Sequence, residues 1–166
     1  MNFSSLKEYF YKLYNSGMKH MLVPILVFLG LYYIFLSGII SPFLVQEEVV
    51  IALLIAYPVV VVVALTIVHL GIQRRLKANS NLVGLGNKLD FFYELTRTKM
   101  KAALWISMFI ASGFLLTAHA WFSIYFSCVF LWFLFQWPSP RKASNQLKLR
   151  GDERKMVMTK GEAFRF

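Results

Sequence analysis

Residues 102–140 read AALWISMFIASGFLLTAHAWFSIYFSCVFLWFLFQWPSP, and no Asp, Glu, Lys or Arg interrupts them. As one straight helix this run would measure about 58 Å, at 1.5 Å of rise per residue. A bilayer hydrocarbon core is only about 30 Å thick and is crossed by about 20 apolar residues. The run is therefore expected to fold back on itself. Dividing it at Ala118–Ala120 leaves spans at 102–117 and 121–137, each at the short end of the usable range. The lone His119 then lies in the turn between two spans, at a membrane surface, and not at membrane depth.

Two further apolar runs precede this one, at about 21–42 and 49–69, the first with Pro24 near its start and Pro42 near its end. Hydrophobic residues make up 58% of the 166-residue chain and charged residues 16%. Soluble domains carry about 25% charge, and here the apolar residues are bunched instead of spread at a helical or strand period. The expected fold class is an all-α polytopic membrane protein, a bundle of four transmembrane helices. Twenty residues precede the first run, which is longer than the core of a signal peptide, so it is taken as a retained span.

The charges test this division independently. All 18 Lys and Arg residues fall in the N-terminal segment, the 70–101 connection or the tail after Pro140. The loops at 43–48 and 118–120 hold none, and the first carries Glu47 and Glu48. Cytoplasmic connections of membrane proteins carry the excess of Lys and Arg, so both termini are expected in the cytoplasm. Topology thus accounts for the net charge of +10, and no nucleic-acid partner is expected.

Residues 1–20 are expected to form a cytoplasmic amphipathic helix along the inner leaflet. Phe3, Leu6, Phe10, Leu13 and Gly17 share one face, Lys7, Glu8, Lys12 and Asn15 the other, and Ser5 with Glu8 matches a capping box. The 71–101 connection breaks at Asn79-Ser80-Asn81. A helix from Asn87 with Asp90 behind it, about 87–101, is expected to continue into the third span. Gly84-Leu-Gly86 is a turn: Leu89 occupies the third glycine position of a dinucleotide loop, and no strand precedes it. Pro138-Ser-Pro140 ends the last span. The basic tail, 138–166, is open between a small hairpin, a short helix from Asp152 and disorder. Its Arg150-Gly-Asp152 tripeptide is a coincidence on the cytoplasmic side.

Ionised side chains inside spans mark ion paths and proton relays. None stands in any of the four spans, which argues against coupled transport by a monomer and against a charged catalytic dyad at membrane depth. Ser107, Ser112, Ser123 and Ser127 have no base beside them. Cys128 is the single cysteine, so no intramolecular disulfide forms. His20 and His69, at the inner ends of the first two spans, are the candidate ligands for a metal or haem, but no third ligand accompanies them. No cofactor is expected. Small residues recur every four positions, at Ala103, Ser107 and Ala111 and at Ser123 and Ser127, as helix-packing faces require. The basic clusters Arg74, Arg75, Lys77 and Arg97, Lys99, Lys101 are candidate contacts for anionic lipid. Together these features point to a non-catalytic integral membrane subunit or scaffold that engages lipids, partner proteins or further copies of itself. The alternatives are an oligomeric channel or carrier for a neutral or lipid-like solute, and a metal or haem protein built on His20 and His69.

Overall fold

The computed structural model describes residues 5–79 and 82–160. Among them every regular element is a helix: α1 Leu6–Leu36, α2 Glu47–Ala78, α3 Leu85–Thr117, α4 Trp121–Phe135, α5 Pro140–Gln146 and α6 Gly151–Met158. Three of these, α1, α2 and α3, are long and apolar enough to cross a membrane. A fourth is added if α4 and α5, bent by 74° at their junction, are taken as one. Phe3, Ser80 and Asn81, named above, and the end of the basic tail, 161–166, lie outside the described residues.

The helix starts and stops follow from local chemistry. Ser5 caps α1 by accepting the Glu8 amide at 3.2 Å, while the Glu8 carboxylate pairs with Lys12 one turn on. The amphipathic segment is not a separate interfacial helix: α1 runs unbroken through it and through Pro24 into the apolar part. Its apolar face is also not turned to lipid, since Tyr9, Phe10 and Leu13 are buried within the protein. The first apolar helix ends at Leu36, six residues short of the expected boundary. Gly38 takes a left-handed φ of 68°, and the Ile39 and Gly38 amides return to the Ile34 and Phe35 carbonyls. That is the glycine stop that satisfies the last free carbonyls of a helix.

Glu47 and Glu48 open α2, and Arg75 and Lys77 close it, each at the favourable end of the helix dipole. α3 begins at Leu85, two residues before the expected Asn87, because Gly84 at φ 86° supplies the turn. It then continues without a break to Thr117. The division of the 102–140 run falls where expected, with Ala118 in a left-handed conformation. His119 sits in the turn and accepts the Trp121 amide on Nδ1 at 3.4 Å. The last apolar helix is shorter than 121–137. Gln136 caps α4 at Phe135, and at 15 residues it measures about 22 Å. Ser139 then caps α5, with Pro140 in its first turn. The tail forms helices and not the hairpin.

α3 is the centre, packed against α1, α4 and α2. Three apolar clusters line it. Towards the turn at 118–120, Phe28, Tyr57, Ile110, Phe114 and Phe122 form an aromatic core. In the middle lie Met100, Ala103 and Phe133. At the other end Tyr9 and Phe10 of α1, Leu89 and Phe92 of α3, Ala143 of α5 and Val157 of α6 pack together. The chain therefore returns its tail to the end from which α1 started. The opposite end, where the Leu44 amide bonds to the Leu116 carbonyl at 2.9 Å, comprises the two loops that hold no Lys or Arg. The first of these is called the basic end below.

Candidate functional site

The basic end holds an anomaly on α3. Leu95, Thr96, Met100 and Ala103 mark the inward face of the helix, and Lys99 falls on that face, 7% exposed. Its neighbours in the sequence clusters behave differently: Arg74, Arg75, Lys77, Arg97 and Lys101 are exposed. As a group the two clusters can meet lipid headgroups, but Lys99 does not share their surface. Among the described residues no carboxylate pairs with it.

Lys99 instead lines a cavity of about 160 Å³ between four helices. His69 and Gln73, one turn apart on α2, form one wall. Trp132 and Gln136 come from the end of α4, and Gln146 from the end of α5. The Gln146 Oε1 is buried and has no hydrogen-bond partner among the described residues. Lys142 of α5 stands close by and donates its ammonium to the Phe135 carbonyl, one of the carbonyls left free where α4 ends. Burial, and next to it repulsion by Lys142, pushes the Lys99 ammonium from 10.5 down to about 8. Burial also lowers Lys142.

A larger cavity of about 410 Å³ shares the Gln73 and Gln146 walls and adds Lys77, Lys88 and Lys148. Lys88 is held by Glu153 of α6 at 2.7 Å. Two more cavities, of about 250 and 150 Å³, open beside Leu89 and beside Arg97. All four lie at the basic end. Also there, the buried Tyr9 hydroxyl donates to the Leu89 carbonyl at 2.8 Å. Burial raises its pKa, with the charges of Asp90 and Tyr93 adding to the effect.

The histidines are placed apart in role. His20 Nδ1 donates to the Ser16 carbonyl at 2.6 Å within its own helix, whereas His69 faces the Lys99 cavity. No group of three or more His, Cys, Asp or Glu able to hold a metal is found among the described residues. The small-residue faces divide too. Ala103, Ser107 and Ala111 are buried on α3, but Ser127 is exposed on α4 and Ser123 only half-buried. α4 packs through Phe122, Val129 and Phe133 instead, so the α3–α4 seam sets small against large. At Gly113 the seam leaves no room for a side chain, since an added Cβ would clash with the Phe122 ring.

Sequence reasoning missed Gln136 and Gln146 as members of one cavity with Lys99, and Lys142 as its charged neighbour. The available signal was Pro138-Ser-Pro140, which forces a break; the 74° bend that carries α5 back over the bundle was not visible in it. No protein-family model, curated protein or solved structure matches this chain.

Proposed function

We propose that the protein is a non-catalytic integral membrane subunit or scaffold, crossing the bilayer four times with both termini in the cytoplasm, that engages lipid or partner proteins at its basic end. The observation that carries this reading is the division of the molecule. Towards the 118–120 turn the interior is closed by aromatic rings: Phe28 stacks on Phe126 at 4.2 Å and Tyr57 on Phe109 at 4.3 Å. The four cavities described above and the lysines and arginines of the described residues gather at the other end. A solute path needs polar groups through the apolar depth, whereas a scaffold needs a formed surface at one side.

Four crossings rest on two supports. The tail returns to the end where α1 begins, which an odd number of crossings forbids, and the Lys and Arg of the described residues lie on that side of the apolar region. α4, at about 22 Å, is short for a ~30 Å core, and its crossing requires local thinning of the bilayer. Trp121 and Trp132 near its two ends suit the headgroup level.

The test is reconstitution together with gentle extraction. In proteoliposomes the protein is expected to move neither neutral solutes nor lipids faster than empty vesicles do. Extracted in mild detergent, it should migrate with bound lipid or protein. Solute flux, or a lipid-free and partner-free monomer, overturns the reading.

A further inference from the structure

We propose that the cavity around Lys99 is a binding site for a phosphate-bearing ligand that also carries a hydroxyl, the headgroup of an anionic lipid or a soluble phosphate ester. The proposal deepens the scaffold reading and rests on it, since it places the cavity at the cytoplasmic face of the bilayer.

Beside the apolar Ile72 and Leu76, the cavity is lined by side chains that can donate hydrogen bonds. Lys99, a residue only 7% exposed, contributes an ammonium with no carboxylate partner among the described residues. Gln73, Gln136 and Gln146 contribute side-chain amides, and His69 an imidazole. No Asp or Glu lines it. A buried ammonium without an anion is costly, and such groups are ordinarily paired. A phosphate oxygen supplies the missing charge through short, charge-assisted hydrogen bonds. The Gln146 Oε1, a buried acceptor without a donor among the described residues, fits the hydroxyl. The space, about 160 Å³, is many times the ~10–15 Å³ that one water requires. It also shares the Gln73 and Gln146 walls with the 410 Å³ cavity, whose Lys77 and Lys148 form a cationic approach.

Lys142 strengthens the case from a different element. Its ammonium, held at the Phe135 carbonyl outside the cavity lining, adds like-charge repulsion to Lys99, which a bound anion relieves. Lys99 also lies at the inward end of the apolar stretch of α3, just before Ala102, where lipid phosphates stand. The other lysines and arginines of the two clusters are exposed and attract anions only in the diffuse way of any basic surface.

The experiment uses the full chain in phosphatidylcholine nanodiscs, with thermal unfolding read as phosphatidylglycerol replaces part of the lipid or as inorganic phosphate is added. Phosphatidylglycerol is expected to raise the unfolding temperature. Lys99→Gln should weaken that response by about tenfold in apparent affinity, and the exposed Lys101→Gln by only about twofold. Lys99→Arg should retain it. Gln146→Glu places a carboxylate beside Lys99 and should remove the response while leaving the protein folded, which keeps the test decisive if Lys99→Gln expresses poorly. A response to inorganic phosphate equal to that of the lipid, and equally dependent on Lys99, supports the site with a soluble ester as its source. Equal losses in Lys99→Gln and Lys101→Gln, or no response to either anion, overturn it. Accessibility labelling of an engineered cysteine in the tail separates these outcomes from a failure of the membrane reading: a tail on the outer face sinks the topology whatever the anion does.

Discussion

α2 and α3 are nearly the same length, 32 and 33 residues, and run side by side, yet they occupy opposite places in the protein. The most apolar stretch of α2 has a mean hydropathy of 2.9 and is 11% buried; that of α3 has 1.5 and is 50% buried. In water the order would be reversed, because burial follows hydrophobicity. In lipid the apolar exterior is already satisfied, and what goes inside is what packs closely or needs a hydrogen-bond partner. α3 supplies Ala103, Ser107, Ala111 and Gly113 to the interior, and α2 supplies only Tyr57, Val61 and Ile72. The less greasy helix is the core, and the comparison can be broken at four points.

The largest expected effect comes from the charge on α3's inward face. Lys99 is faced by Lys142 from α5 and His69 from α2, with no acid lining the cavity. Its folded pKa, about 8, lies below the unfolded 10.5. Between those values the unfolded chain binds more protons, so stability should rise as pH rises from about 8 to 10.5. Below pH 8 the full cost is present, with an upper bound of about 3 kcal/mol at 1.36 kcal/mol per pKa unit. Lys99→Met should therefore stabilise the anion-free protein at pH 7 by as much as about 3 kcal/mol and flatten its alkaline pH dependence. Unfolding in mixed micelles at pH 7 and pH 10 measures both. A destabilised Lys99→Met would mean that the ammonium has a partner in solution.

Gly113→Ala comes next. Phe122 is fully buried between Tyr57 and Tyr125, so its ring cannot step back from an added Cβ. The overpacking should cost about 1–3 kcal/mol despite alanine's better helix propensity. The same change in a Phe122→Leu background should be nearly neutral or stabilising. An equal loss in both backgrounds would show that α3 and α4 do not meet there.

These two sites also mark how far the sequence was legible. The three long helices, the turn at 118–120 and the gathering of the described lysines and arginines at one end follow from run length and charge placement, which are local properties. Gly38 marks the stop in the sequence, but the apolar run continues beyond it and masks the signal. The pairing of small α3 residues with large α4 residues was not legible from spacing alone. Ser123 and Ser127 recur at the same interval as Ala103 and Ser107, and only the rotation of α4 decides that Phe122 and Phe133 face inward. In sequence Lys99 falls in one basic cluster with Arg97 and Lys101. On a helix, neighbours two apart point to different faces, and Lys99 belongs with Leu95 and Ala103.

α2 is tied to the core by a hydrogen bond as well as by packing. Pro58 lacks the amide that would bond the Leu54 carbonyl, and the Tyr125 hydroxyl of α4 donates to that carbonyl at 3.0 Å. Tyr125→Phe should cost about 1 kcal/mol, in line with interhelical hydrogen bonds in membranes. With Pro58→Ala the helix amide returns to Leu54, and Tyr125→Phe should then cost almost nothing. If the cost persists, the hydroxyl serves something other than the proline gap.

The smallest effect is expected on the outward side of α2, and there a near-zero result is the informative one. Ile55 and Val59 are 64% and 57% exposed, and one turn separates them. In a bilayer each exchanges contact with lipid for contact with lipid on unfolding of the tertiary structure, so Ile55→Ala and Val59→Ala should change stability by less than about 0.5 kcal/mol. Tyr57→Ala, two residues from either, should cost several times more, since its ring stacks on Phe109 and meets Phe122 edge-on. A loss at Ile55 as large as that at Gly113 would mean that protein, and not lipid, covers α2 in the folded unit. The contrast between the two helices would then describe one protomer and not the assembly, because α2 would be a second core helix whose packing partner lies on another chain.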